Sequence, residues 1–107
     1  MPQLTAAQLK GWLDDAARER PILLDVREPW EVQICRIPDS LHMPMREVPA
    51  RAGELDPDAP LVAICHHGAR SMQVVLFLEK NGHKNVHNLV GGVDAWSRTV
   101  DPSMPVY

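Results

Sequence analysis

A chain of 107 residues, 45% hydrophobic and 23% charged, has the makeup of one globular domain with a single modest core, taken here as residues 1–107. Its net charge of -3 excludes the basic face that non-specific nucleic-acid binding needs, and no basic stripe with interleaved aromatics occurs. The opening "MPQLTAAQLKGWLDDAARER" is charged and lacks a long apolar run, so the expectation is a cytoplasmic protein with neither signal peptide nor membrane span.

Thr5 and Gln8 have the spacing of a capping box, which predicts a helix over about residues 6–19 with Leu9, Trp12, Leu13 and Ala16 on its apolar face. Pro21 stops it, and the apolar run "ILLDV" (22–26) reads as a buried strand. "EPWEVQI" (28–34) suits a short helix, with Pro29 in its first turn. "SLHMP" (40–44) is a weaker strand, and "REVPARAGEL" (46–55) an irregular helix, because Pro49 fits only a first turn. "LVAIC" (61–65) is a strand, residues 71–80 a helix ended by Gly82, and "NVHNLV" (85–90) a strand. A Gly-Gly turn then leads to a closing helix over 93–100. Strands alternating with helices at this spacing predict an α/β fold, a parallel sheet covered on both faces. Ligands in such folds bind beyond the carboxyl ends of the strands, where Cys65 falls.

The loop "CHHGAR" joins that strand to the next helix. A cysteine there meets backbone N–H groups and the positive end of a helix dipole, a setting that favours the thiolate. Gly68 lets the backbone curl with positive φ, Ala69 adds little bulk, and Arg70 brings a permanent charge suited to an oxyanion. On local chemistry alone two readings stay open: an activated nucleophile, or a buried structural cysteine.

"LLDVREPWEV", "RIPDSLHMP", "ICHHGARS" and "NLVGGVDAW" stand in the order found in rhodanese-like domains, and over residues 3–100 the chain resembles a single-domain rhodanese-like sulfurtransferase. The resemblance implies a five-stranded parallel sheet with helices on both faces. It also implies a persulfide on Cys65 during turnover, with His66, His67, Gly68, Ala69 and Arg70 forming the substrate-binding loop. Within that superfamily the loop is C-x4-R, whereas relatives acting on phosphate or arsenate resemble the longer C-x5-R. The shorter loop fits a sulfur atom on the cysteine. Two departures stand out. "CRIPDS" (35–40) replaces the usual Gly-His-Ile-Pro-Gly-Ala, and His66-His67 opens the loop where many relatives carry arginine or lysine, so its positive potential would depend on pH.

The expected function is therefore transfer of sulfane sulfur from a donor such as thiosulfate to a thiol or cyanide acceptor. The alternative is a sulfur-relay or protein-binding module without turnover, whose acceptor is a protein. No cofactor and no metal are expected. Adjacent His66 and His67 on a tight loop rarely chelate with Cys65, and His83 and His87 share no helical face. Asp25 and Arg27 should form a charge network at the sheet edge, and Trp12, Trp30 and Trp96 should be core anchors. The tail "DPSMPVY" should pack along the surface. Cys35 is expected near the amino edge of the sheet, about 15 Å from Cys65, too far for a disulfide.

Overall fold

The computed structural model describes residues 2–107. The elements run β1 (Gln3–Leu4), α1 (Ala6–Asp14), β2 (Ile22–Asp25), α2 (Pro29–Ile34), β3 (Leu41–His42), α3 (Val48–Arg51), β4 (Leu61–Ile64), α4 (Ala69–Lys80), β5 (Val86–Leu89) and α5 (Gly92–Thr99). Short 3-10 turns, Met45–Glu47 and Ala52–Glu54, flank α3, which makes the 46–55 segment the irregular helix its proline predicts. All strand pairs are parallel, in the order β1-β5-β4-β2-β3.

β4 is central, and all four of its residues are buried, as a strand covered on both faces requires. Its alternate side chains enter two cores. Val62 and Ile64 join Leu9, Trp12, Leu23, Leu89, Val93 and Trp96 on one face. Leu61 and Ala63 join Leu24, Val26, Met43, Val74, Val75 and Leu78 on the other. The register Asp25↔Ile64 ends β2 and β4 at the same level, so Asp25, Arg27 and Cys65 emerge together at the carboxyl edge.

Three local outcomes differ from the sequence reading. The capping box of Thr5 and Gln8 opens α1, but the helix ends at Asp14. Asp15 turns extended and its carboxylate accepts the Ala17 N–H, a local alternative to another helical turn. The fifth strand is β1, two residues with no periodicity of their own, aligned by Gln3↔Asn88 and Leu4↔Leu89 on β5. Trp12 and Trp96 are core anchors, but Trp30 is not: it lies 61% exposed, because the inward-facing position of α2 is taken by Glu31. No helix of the described residues is long and apolar enough to cross a membrane.

Candidate active site

Cys65 directly follows β4 and is 1% exposed, at the floor of the loop leading into α4. Gly68 takes φ 107°, and this turn brings its N–H onto Cys65 Sγ at 3.0 Å. Ser71, in the first turn of α4, lies with Oγ 3.3 Å from the same sulfur. That hydroxyl also reaches Asn88 Oδ1 at 2.5 Å, while Asn88 Nδ2 donates to the Gly68 carbonyl at 3.2 Å and to Gln3 Oε1 at 3.1 Å. The amide of Asn88 on β5 thus fixes both Gly68 and Ser71, the two groups that touch the sulfur.

The loop is held from outside by α5. Val93 N–H donates to the Cys65 carbonyl at 2.9 Å and Asp94 N–H to the His66 carbonyl at 3.2 Å, so these oxygens point at the helix N-terminus. Such close approach demands glycine at 92, since a Cβ there would collide with both carbonyl oxygens. Gly92 is a packing requirement of the cysteine loop, whereas a Cβ at Gly91, itself at φ 78°, would meet Ala95 of α5.

Arg70 sits on the rim, but its fork is occupied. Nη1 and Nη2 donate to Glu31 Oε2 and Oε1, each at 2.7 Å, and Glu31 is 3% exposed. Each carboxylate oxygen has a second donor: the Glu28 N–H to Oε2 at 2.9 Å, and the Tyr107 hydroxyl to Oε1 at 2.9 Å. The Arg70 hydrogen bonds hold the Glu31 carboxyl down to about 2 against the opposing effect of burial. Arg70 is raised in turn, chiefly by Glu31. The permanent charge expected at the rim is present and paired.

Arg27 is fully buried beneath this pair. It bonds Asp25 Oδ2 at 2.7 Å, the Cys35 carbonyl at 2.7 Å, the Glu31 carbonyl at 3.3 Å and the Tyr107 hydroxyl at 3.0 Å. The charge network expected of Asp25 and Arg27 is therefore built, and buried charges need such saturation. Burial pushes Tyr107 up to about 12, so it stays a neutral phenol.

His66 lies between two rings, stacked on Tyr107 at 3.9 Å between centroids and 5° between planes, with His67 at 3.9 Å on a tilted plane. His67 Nδ1 is 4.0 Å from Asp94 Oδ2. Ligand atoms of His66, His67 and Asp94 all lie within 4.8 Å of one another, yet the two imidazoles turn ring faces, not in-plane lone pairs, toward each other. Ala69 opens α4 and adds no polar group. Cys35 does not lie at the amino edge as expected: after the six-residue α2 its carbonyl still accepts from Arg27 Nη2 at 2.7 Å, with its sulfur 3.7 Å from Arg27 Nη1. It belongs to the core on the face opposite Cys65, so the sheet itself separates the two free thiols.

Glu31, Ser71, Asn88 and Tyr107 are absent from the sequence-derived site. Ser71 could have been found, since a residue just after Arg70 falls on the first turn of the helix entered from the loop. Glu31 is signalled only by a charged residue between apolar neighbours in "PWEVQI". Asn88 and Tyr107 carry no local signal.

A rhodanese-like domain model matches residues 5–99. The chain belongs to the rhodanese-like domain family. This rhodanese-like chain is 41% identical over 83 residues to a sulfurtransferase of Allochromatium vinosum, with 78% of each chain covered. It is 38% identical over 100 residues to a putative sulfurtransferase of Bacillus subtilis, covering 94% of each. A thiosulfate sulfurtransferase of Pseudomonas syringae pv. syringae is 35% identical over 85 residues, 78% of this chain and 80% of that one. A rhodanese-like/PpiC domain-containing protein of Arabidopsis thaliana is 40% identical over 89 residues, and there the match spans only 30% of the longer protein. Among solved structures, a rhodanese-like domain protein from Staphylococcus aureus superposes with a TM-score of 0.85 at 28% identity, covering 100% of this chain and 99% of that one.

Proposed function

We propose that this rhodanese-like chain is a cytoplasmic sulfurtransferase that carries sulfane sulfur from a donor such as thiosulfate to a thiol or cyanide through a persulfide on Cys65. The observation that carries the reading is the Gly68 N–H on Cys65 Sγ at 3.0 Å, with the Ser71 hydroxyl at 3.3 Å. Both are donors available to a sulfur anion at the start of a twelve-residue helix. Relatives named as sulfurtransferases support sulfur transfer at the level of the family.

The steps balance as a double displacement. Cys65 thiolate attacks the outer sulfur of thiosulfate, the S–S bond of the donor breaks, and sulfite leaves with the bonding electron pair. Cys65 then carries one extra sulfur as a persulfide anion, toward which loop N–H donors and the Ser71 hydroxyl can turn. An acceptor thiolate or cyanide attacks the terminal sulfur, and the Cys65 thiolate departs as leaving group. Ser71 has one proton and several acceptors in reach. Its donation to Cys65 Sγ at 3.3 Å competes with donation to the Gly68 carbonyl at 3.3 Å and to Asn88 Oδ1 at 2.5 Å. The C-x4-R loop supports a sulfur-sized cradle over a phosphate-sized one.

Intact-mass measurement after thiosulfate treatment, with and without a reductant, tests the proposal. One reducible sulfur per chain is expected, together with thiocyanate from thiosulfate and cyanide and parallel-line kinetics in the two substrates. An unmodified mass overturns it. A sulfur-loaded protein that forms no thiocyanate shifts the reading to a relay toward a protein acceptor.

A further inference from the structure

Tyr107 is 76 residues from Glu31 in the sequence, yet its phenol meets the site from two directions. Its ring stacks on His66, the first residue of the cysteine loop, and meets Trp30 edge-on at 6.0 Å. Its hydroxyl lies between Arg27 and Glu31, and the direction of that bridge is forced. Arg27 can only donate, so the phenol oxygen accepts from Nη1 at 3.0 Å and its single proton goes to Glu31 Oε1 at 2.9 Å. Glu31 Oε1 is also the oxygen that holds Arg70 Nη2. The path to this place is built, not incidental: Met104 is buried in the core, and its carbonyl accepts the Ser97 hydroxyl at 2.5 Å.

We propose that Tyr107 is a positioning residue of the sulfur-transfer site, which keeps Glu31 clamped on Arg70 and so withholds the Arg70 charge from anions approaching Cys65. The proposal rests on the sulfur-transfer reading for its biological meaning, but its physical content concerns the charge felt at the sulfur. Behind the carboxylate stand two donors, the Glu28 N–H and the Tyr107 hydroxyl. Removing the hydroxyl leaves the charge of Glu31 unchanged and takes away one of its two rear supports. The carboxylate then gains rotamers, and Arg70 is freed to face the mouth of the loop. The tail thereby sets the affinity for anionic donors relative to neutral ones.

Competitive alkylation of Cys65 tests this without any turnover. Iodoacetate and iodoacetamide both need the thiolate, so the ratio of their rates cancels the ionised fraction and reports the local potential. The ratio is read on the Cys65 peptide by mass spectrometry in wild type, Tyr107→Phe, Glu31→Gln and the double variant. Tyr107→Phe keeps the stacked ring and should raise the iodoacetate preference about threefold, the scale of one partly exposed charge pair. Glu31→Gln should raise it at least as much, and the double variant should match Glu31→Gln alone. Thiosulfate KM should fall in Tyr107→Phe by more than any change in kcat, and more steeply at low salt. A ratio and a KM both unmoved in folded Tyr107→Phe overturn the proposal, as does an additive double variant. An unmodified wild-type mass after thiosulfate treatment would instead sink sulfur transfer while leaving the alkylation result standing.

Discussion

Glu31 and Arg70 stand 39 residues apart and are joined fork to fork by two hydrogen bonds of 2.7 Å, tying α2 to the first turn of α4 across the mouth of the cysteine loop. Parallel paired bonds of this kind fix orientation as well as distance. The pair neutralises itself, so the loop's attraction for an anion depends on whether Arg70 stays on Glu31 or turns away.

Arg70→Ala should lower kcat/KM for thiosulfate by about tenfold, equivalent to about 1.4 kcal/mol and short of the upper range of about 3 kcal/mol for an unshared charge-assisted contact, because Glu31 already holds the fork. Two causes act in the same direction. The cation is lost, and the Glu31 carboxylate is left uncompensated beside the path of a dianion. Steady-state kinetics of Arg70→Ala and of Arg70→Ala with Glu31→Gln check both, the double variant recovering part of the loss. An unchanged constant in folded Arg70→Ala would remove Arg70 from donor binding.

Acid should weaken the fold through Glu31. Its folded carboxyl lies at about 2 against an ordinary 4.5, so its contribution is complete above pH 4.5 and is lost as pH falls toward 2. The full contribution is on the order of 3 kcal/mol. Urea unfolding at a series of pH values should therefore show wild type losing more stability across that window than Glu31→Gln. Parallel losses in the two proteins would mean the carboxylate is not held by Arg70.

Cys65→Ser should abolish sulfur loading, and Cys35→Ser should retain it. Cys35 lies in the other core layer, with its sulfur 3.7 Å from Arg27 Nη1. Diamide treatment followed by non-reducing peptide mapping should show no intramolecular Cys35–Cys65 bridge in folded protein, because the sheet separates the thiols. Finding that bridge would overturn the two-layer placement.

Gly92→Ala should destabilise the protein by about 2–4 kcal/mol and impair sulfur loading more than a comparable change at Gly11, which has open space around it. Position 92 combines φ 58° with collision against the Cys65 and His66 carbonyls. Thermal unfolding and intact-mass loading of both variants measure this. Equal behaviour at the two positions would show that the α5 N-terminus does not shape the loop.

Local chemistry determined a good part of this protein. The capping box placed the start of α1, the apolar runs placed β2, β4 and β5, and the strand–cysteine–glycine–helix junction placed Cys65 and Gly68. Each of these signals is carried by residues within one turn or one strand of each other, so a single stretch contains the whole cause. Tertiary structure alone decided the rest. β1 exists because β5 offers an unpaired edge, not because Gln3 and Leu4 prefer extension. Trp30 faces outward because Glu31 must face inward to reach Arg70. Asn88 and Tyr107 enter the site through hydrogen bonds whose partners come from distant segments. Such polar contacts have no periodicity to read, since their direction is set by where a buried partner needs a proton, and that is known only once the chain has folded.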